Sequence, residues 1–144
     1  MPDQETLKRA RQDKEEGKSP STQAGEFVRE EIDHVREGKH GVRSAKQAIA
    51  IGLSKARRAG VKLAPPKGSA AIRRKAAQDT KAGKIGHKIS AKRSRAVSNK
   101  LKKEPHAGAS HLALSRQAKA SAAKRGKQSR SQAAEKTART RRAA

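Results

Sequence analysis

The sequence predicts a mainly α-helical protein, in which a small antiparallel helical hairpin is followed by a long, helix-prone and largely disordered basic arm. Only 18 of the 144 residues are Ile, Leu, Val or Phe, and 10 of these lie between Phe27 and Leu63. Residues 61–144 carry 24 basic and 3 acidic residues, whereas residues 1–60 carry 13 and 10. So little apolar surface cannot offset the entropy of ordering the whole chain, which excludes a single core of 144 residues.

The first segment, residues 1–20 (the leader), is mixed in charge and ends at Ser19-Pro20. A helix over residues 5–16 would have only Leu7 to anchor it, so we expect a flexible, solvated leader. The leader has no apolar signal-peptide segment, and no apolar run in the chain approaches the ~20 residues that span a bilayer. We therefore expect a soluble, cytoplasmic protein. The absence of cysteine excludes disulfides and thiolate chemistry.

Residues 21–64 (the hairpin) begin with a helix that starts at Ser21 or Thr22 and ends at Gly38. Apolar side chains recur in it at spacings of three and four residues, which place them on one helical face. Gly38 is a natural stop, because glycine adopts the left-handed conformation that closes a helix. The predicted face consists of Ala24, Phe27, Val28, Ile32 and Val35.

A second helix follows a connection of six residues. Ser44 is its predicted N-cap, Gln47 lies at the position that completes a reciprocal capping box, and Gly60 follows its last turn. Two amphipathic helices joined by so short a connection fold back as an antiparallel pair. The residues predicted to form the hairpin interface are Phe27, Val28, Ile32, Val35, Ile49 and Leu53.

Pro65-Pro66 ends the hairpin, and residues 65–144 form the basic arm. Four of its segments begin with a capping serine and continue in good helix formers, but they contain few large apolar residues. Isolated helices of this length are marginal in water, so we expect them to be largely disordered until their charges are neutralised. We also expect the hairpin to need self-association or a polyanion for stability. The four segments are Ser69–Lys81, Ser90–Lys103, Ser110–Arg125 and Ser129–Arg142.

No motif in the sequence indicates catalysis, since the chain lacks a P-loop and the GxGxxG, GxSxG and HExxH patterns. Glu30, Glu31 and Asp33 lie together, on what should be the solvated face of the first hairpin helix. No two histidines are four residues apart on a helix and no cysteine accompanies them, so we predict no metal site. We therefore predict a protein that is not an enzyme, with no cofactor and no small-molecule substrate. The five histidines are His34, His40, His87, His106 and His111.

The basic arm is the strongest functional signal. Its bases, interspersed with Ala and Ser, suit a phosphate backbone, because binding there releases condensed counterions. Phe27 is the only aromatic residue, so stacking on single-stranded bases is disfavoured, and duplex DNA is favoured over RNA. Lipid binding would lack apolar anchors, so no membrane partner is predicted. The predicted contacts are Arg73, Arg74, Lys75, Lys92, Arg93, Arg95, Lys100, Lys102, Lys103, Lys124, Arg125, Arg141 and Arg142.

One stretch resembles a known family. HVREGKHGVRSAKQAIAIGLSKARRAGVKL, residues 34–63, is similar to small basic bacterial proteins of unknown function, whose shared core is a basic loop followed by KQAIAI-[AG]-LS-x-A. That core corresponds to residues 46–56. The resemblance implies no activity and no residue role, because none is established for the family. Separately, the basic arm is similar in composition to the tails of linker-histone-like bacterial proteins.

Two functions are compatible with these features. In the first, the chain is a histone-like, nucleoid-associated and sequence-independent nucleic-acid-binding protein, and its hairpin supplies a self-association surface. In the alternative, the hairpin is a protein-interaction module, and the basic arm docks an acidic partner or ribosomal RNA. Deletion of residues 61–144 distinguishes them, because only the first function would lose its partner.

Overall fold

The fold is helical throughout the residues that the computed structural model describes, which are 2–85 and 90–143. Two compact units divide the chain after Ser110, and we call them the first and the second unit. A single turn of 3-10 helix, Ala107–Ala109, closes the first unit. The α-helices are α1 (Gln4–Glu15), α2 (Pro20–Arg36), α3 (Ala45–Arg58), α4 (Ala70–Ile85) and α5 (Ala91–Lys102) in the first unit, and α6 (His111–Lys124) and α7 (Gly126–Ala143) in the second.

Helices α2 and α3 form the predicted antiparallel hairpin. Val35 clusters with Ala48 near the connection, while Phe27 clusters with Ala56 at the far end, as expected for two helices that run in opposite directions. Phe27 and Val35 are fully buried. The other predicted interface residues, Val28, Ile32, Ile49 and Leu53, are half-buried.

The helix ends agree with the sequence signals except at the start of α2. Ser19, rather than Ser21 or Thr22, is the N-cap, because Pro20 occupies the first helical position, where its missing N–H costs nothing. Gly38 follows α2 with φ +78°, the left-handed conformation expected there. Ser44 Oγ accepts a hydrogen bond from the Gln47 amide (3.3 Å) and caps α3 as predicted.

The α2–α3 crossing depends on Gly52, which lies directly against Val28. A Cβ atom at position 52 would lie 2.6 Å from Val28 Cα, well inside van der Waals contact. The absence of a side chain therefore sets how closely the two helix backbones approach.

The expectation of a largely disordered basic arm is wrong, because α4, α5, α6 and α7 cover most of it. The helices begin and end within four residues of the four predicted segments. Alanine, lysine and arginine favour helix throughout. In the first unit, α4 and the end of α5 are held in place by polar contacts and close backbone approaches. A count of large apolar residues does not reveal contacts of this kind.

Helix α4 is fastened to α3 by Asp79, whose side chain is 4% exposed. Asp79 Oδ2 accepts from Ser54 Oγ (2.7 Å), and Asp79 Oδ1 accepts from Arg58 Nε (2.9 Å). One turn further along α4, Gly83 allows the backbones of α3 and α4 to approach closely, since a Cβ at position 83 would lie 2.6 Å from the Arg58 carbonyl oxygen. One buried carboxylate and one glycine therefore supplement the small apolar contact that α4 makes through buried Ala76.

The segment after α5 is fastened to the connection between α2 and α3. The Gly41 amide donates to the Leu101 carbonyl (2.9 Å), and the Val42 amide donates to the Pro105 carbonyl (2.8 Å). Ala109 of the 3-10 turn is fully buried in the cluster that contains Val42. These contacts hold the C-terminal end of α5 against the hairpin.

The expectation of a flexible, solvated leader is also wrong, because α1 packs on α2. Ala10 joins the cluster around Phe27, and Thr6 is 1% exposed, so Leu7 is not the only anchor. Arg9 Nε donates to Glu26 across the interface (2.6 Å). The hairpin gains its neighbours from within the chain, through α1, α4 and the 3-10 turn. Among the described residues, no helix is long and apolar enough to cross a membrane.

Candidate functional site

Uncompensated positive charge is concentrated on α5 in the first unit and on α6 and α7 in the second. These helices carry 14 bases, all exposed, and one acid, Glu135. Within residues 2–85 and 90–143, none of the 14 lies within ion-pair distance of a carboxylate. They include most of the predicted contacts, namely Lys92, Arg93, Arg95, Lys100 and Lys102 of α5, Lys124 of α6, and Arg141 and Arg142 of α7.

The predicted contacts outside these helices have different surroundings. Lys103, Arg125 and Arg74 are exposed, the first two just beyond α5 and α6 and the third on α4. Lys75 is already engaged, since its Nζ lies 2.7 Å from Asp79 Oδ1. Burial raises the pKa of Asp79, but hydrogen bonds from Lys75, Ser54 and Arg58 more than offset that effect, so its pKa lies below the usual value. Lys75 therefore helps to hold α4, unlike the free bases of α5.

A basic groove runs between the end of α3, residues 63–66 and α4. Arg73 lines it, as do three bases that were not among the predicted contacts: Arg57, Lys81 and Lys84. Arg73, Lys81 and Lys84 are spaced by eight and three residues, and this spacing could have placed them on one face of α4. Arg57 could not be found in this way, because it comes from α3 and is 9% exposed.

The acidic pair Glu30 and Glu31 is buried, at 4% and 1% exposure, so the expectation of a solvated face is wrong. Lys55 of α3 lies between the two, with Nζ 3.0 Å from Glu30 Oε1 and 2.8 Å from Glu31 Oε2. The Asp3 amide, just before α1, donates to Glu30 Oε2 (3.1 Å). The acids lie on α2 as predicted, but α1 and α3 cover this side of the helix.

Pairing favours the charged forms of Glu30 and Lys55. Burial raises the pKa of Glu30, but hydrogen bonds from Lys55, the Asp3 amide and Thr6 lower it below the usual value. Burial lowers the pKa of Lys55, and the close contacts of its ammonium with the Glu31 and Glu30 carboxylates more than reverse this, so its pKa is raised.

Two histidines complete the cluster. His34 Nε2 lies 3.2 Å from Asp3 Oδ2, and this hydrogen bond is the main cause of the lowered pKa of Asp3. His40 Nε2 lies 3.2 Å from Glu31 Oε1. Glu31, His34 and His40 each offer one ligand atom, and these three atoms lie within 4.8 Å of one another.

The sequence did not predict the group of Glu31, His34 and His40, because the prediction considered only pairs of histidines on one helix. Glu31 and His34 are three residues apart and share a helical face, which was a usable signal. His40 was not predictable, because it approaches only after the chain turns at Gly38. His106 has a structural contact, Nδ1 to the Val35 carbonyl (2.8 Å), and His111 is exposed. His87 lies outside the described residues.

The family comparison covers the hairpin and the residues of this cluster other than Asp3. Residues 11–68 match DUF6496, a family of unknown function. The DUF6496 match contains residues 34–63, so the predicted resemblance to an uncharacterised family is confirmed at that level. The match ends before α4. No curated protein and no solved structure matches the chain.

Proposed function

We propose that this chain is a non-enzymatic protein that binds the phosphate backbone of nucleic acid, without sequence preference and with duplex DNA preferred over RNA. The proposal extends to a histone-like, nucleoid-associated role, with which the composition of the basic arm agrees. Its bases contact phosphates, and the helices that carry them are formed before binding.

The 14 exposed and uncompensated bases of α5, α6 and α7 carry the proposal. The remaining acids of residues 65–144, Asp79 and Glu104, are paired with Arg58 and Lys75 and with Arg43. A surface needed only for solubility would not require 14 bases against one acid, since mixed charges serve that purpose. Such a surface suits a polyanion, because each phosphate contact releases counterions.

The N-terminal turn of α5 supports the same interpretation. Lys92 and Arg93 lie there without an acid in that turn, and Arg95 follows at the start of the next turn. Positive charge at a helix N-terminus opposes the helix dipole, at a cost of about 0.3–1 kcal/mol for each charge. A bound phosphate would reverse this cost, because amides and bases at a helix N-terminus both attract an anion.

The preference for duplexes follows from the position of the only aromatic side chain. Phe27 is 1% exposed and packs inside the hairpin, so it cannot stack on a base. Proteins that bind single strands depend on such stacking. The alternative, in which the hairpin is the interaction module, has less support, because α1, α4 and the 3-10 turn pack on the hairpin.

The proposal is tested by the salt dependence of duplex binding, measured by fluorescence anisotropy with labelled duplexes of random sequence. With roughly 6–10 phosphates engaged, log K against log salt should have a slope of about −5 to −9. Single-stranded oligonucleotides and duplex RNA should bind more weakly than duplex DNA. A slope shallower than about −2, or a preference of about a hundredfold among random duplexes, would refute backbone binding.

Two triple variants with the same change in charge assign the contact surface. The first replaces Lys92, Arg93 and Arg95 with Gln, and the control replaces three exposed bases of α1, Lys8, Arg11 and Lys14, with Gln. The α5 variant should flatten the slope by about 2–3, since each lost phosphate contact contributes about 0.9. The control should leave the slope unchanged. Equal effects of the two variants would mean that net charge alone, and no defined surface, determines affinity.

A further inference from the structure

We propose that Glu31, His34 and His40 bind a single divalent transition-metal cation, for which Zn²⁺ is the probe. This site shares no residue with the helices of the proposed phosphate contacts and does not depend on the proposed function. Two imidazoles and one carboxylate are a typical ligand set for zinc, with a further position left for water.

The local fold explains how the three ligands meet. Glu31 and His34 are three residues apart on α2 and therefore share a face. After α2, the Gly38 amide donates to the Val35 carbonyl (3.2 Å) and the Lys39 amide to the His34 carbonyl (3.0 Å). This pair of hydrogen bonds is a Schellman turn, which requires the positive φ of Gly38. The turn reverses the chain and brings His40 back to the helix.

The distances fit a metal ion with a small contraction. Ligand atoms about 2.0–2.1 Å from a tetrahedral zinc ion lie roughly 3.3 Å from one another. His40 Nε2 and Glu31 Oε1 are 3.2 Å apart already. All three ligand atoms lie within 4.8 Å of one another. The ligand atom of His34 therefore has to move by about 1–2 Å at most to bind the same ion, and a change of side-chain rotamer supplies that movement.

Glu31 lacks the hydrogen bonds that a buried carboxylate normally makes. It is 1% exposed, and neither of its oxygens has a hydrogen-bond partner of acceptable geometry, although Lys55 and His40 lie within ion-pair distance. Buried polar groups without such partners are rare and indicate a functional role or an unrecognised ion. Its Oε1 faces His40 Nε2 across the candidate site at 3.2 Å.

The orientation of His40 adds an independent argument. Its Nδ1 lies 3.2 Å from the Gly41 carbonyl, which can only accept, so Nδ1 carries the hydrogen of this contact. A neutral His40 then directs the lone pair of Nε2 at Glu31 Oε1. Two lone pairs that face each other at 3.2 Å require a positive charge between them, either a proton or a metal ion. A backbone carbonyl that fixes the histidine tautomer in this way is typical of metal sites.

The charge of the surroundings also suits a divalent cation. Asp3, Glu30 and Glu31 contribute three negative charges, and Lys55 supplies one positive charge. With neutral histidines the cluster therefore has a net charge of −2, which a divalent cation neutralises. With His34 Nδ1 as the ligand atom, Asp3 Oδ2 at 3.2 Å from Nε2 holds the ring as a second carboxylate commonly does in metal sites.

Calorimetric titration of the EDTA-treated full chain with zinc sulfate tests the proposal. One Zn²⁺ should bind, and a free zinc concentration 100-fold above Kd should raise the melting temperature by roughly 10 °C. Co²⁺ should bind competitively and give the visible absorption of a four- or five-coordinate site. His34→Gln and His40→Gln should each weaken binding by about 100-fold or more. The exposed His111→Gln is the matched control and should leave affinity within about twofold, since His111 lies in the second unit.

Lys55→Gln distinguishes a metal site from a buried ion-pair network. Removal of the competing ammonium should lower the melting temperature of the metal-free protein but increase zinc affinity by about tenfold or more. If only a proton joins His40 to Glu31, zinc will not restore this variant. Absence of binding at about 1 mM zinc, or binding that survives His34→Gln and His40→Gln but not His111→Gln, would overturn the proposal.

Discussion

Replacement of Gly52 by Ala should destabilise the first unit, although it improves helix propensity. The new Cβ atom would lie 2.6 Å from Val28 Cα and 2.9 Å from Val28 N, and neither backbone atom can move without its helix. Carbon atoms pack best at about 3.5–4.0 Å, so α2 and α3 must separate by about 1 Å. Overpacking of this kind costs about 1–3 kcal/mol, from which the helix propensity of Ala returns about 1 kcal/mol. The free energy of unfolding should fall by about 1 kcal/mol.

The matched control is Gly25→Ala, on an exposed part of α2. A Cβ atom at position 25 meets nothing within 4 Å, so this variant should gain about 1 kcal/mol through propensity alone. Urea denaturation followed by far-ultraviolet circular dichroism measures both. The same chemical change should therefore shift stability in opposite directions at positions 25 and 52. Equal stabilisation by the two variants would show that the α2–α3 crossing does not lie at Gly52.

Three further changes test other parts of the first unit. Asp79→Asn should destabilise the attachment of α4 by about 1–3 kcal/mol, measured by amide exchange in α4. Because folding lowers the pKa of Asp79, the ionised carboxylate stabilises the fold above the ordinary pKa of 3.8, and this stabilisation is lost as the pH falls through the lower pKa of the folded state. The free energy of unfolding of Asp79→Asn should therefore fall less steeply in acid than that of the unmodified protein. Leu53→Asp should unfold the first unit, since it places a charge against the Phe27 cluster. Duplex affinity should nevertheless fall less than about tenfold, because ten bases follow residue 110. Ser44→Ala should cost about 1 kcal/mol in urea denaturation through loss of the N-cap, and an unchanged midpoint would contradict that role.

The features predicted correctly from the sequence are those that depend on neighbouring residues. Helical periodicity places Phe27 and Val35 on the buried face of α2, and the Ser44 and Gly38 signals mark two helix ends because caps are made within a few residues. The same local signals place the four helices of the basic arm. The mainly α-helical class is confirmed for this reason.

The predictions that failed depend on contacts distant in sequence. A count of apolar residues gave α4 no anchor, because Asp79 is a single carboxylate whose partners, Ser54 and Arg58, lie more than 20 residues away. Glu30 and Glu31 were assigned to solvent, because one helix considered alone does not reveal that α1 and α3 cover it. Charged residues are almost never fully buried unless paired, and the pairing with Lys55 was not visible in the sequence.

The connection between α2 and α3 links the proposed metal site to the C-terminal end of α5. His40 belongs to the buried cluster, while the next two amides, of Gly41 and Val42, donate to the Leu101 and Pro105 carbonyls at the end of α5. A metal ion that fixes His40 must reduce the opening of these adjacent hydrogen bonds, since local opening needs the connection to move. Zinc should therefore slow exchange of the Gly41 and Val42 amides by about tenfold, an effect that His40→Gln should abolish. Slowing of equal size in α7 would mean that zinc acts elsewhere in the chain, because α7 belongs to the other unit.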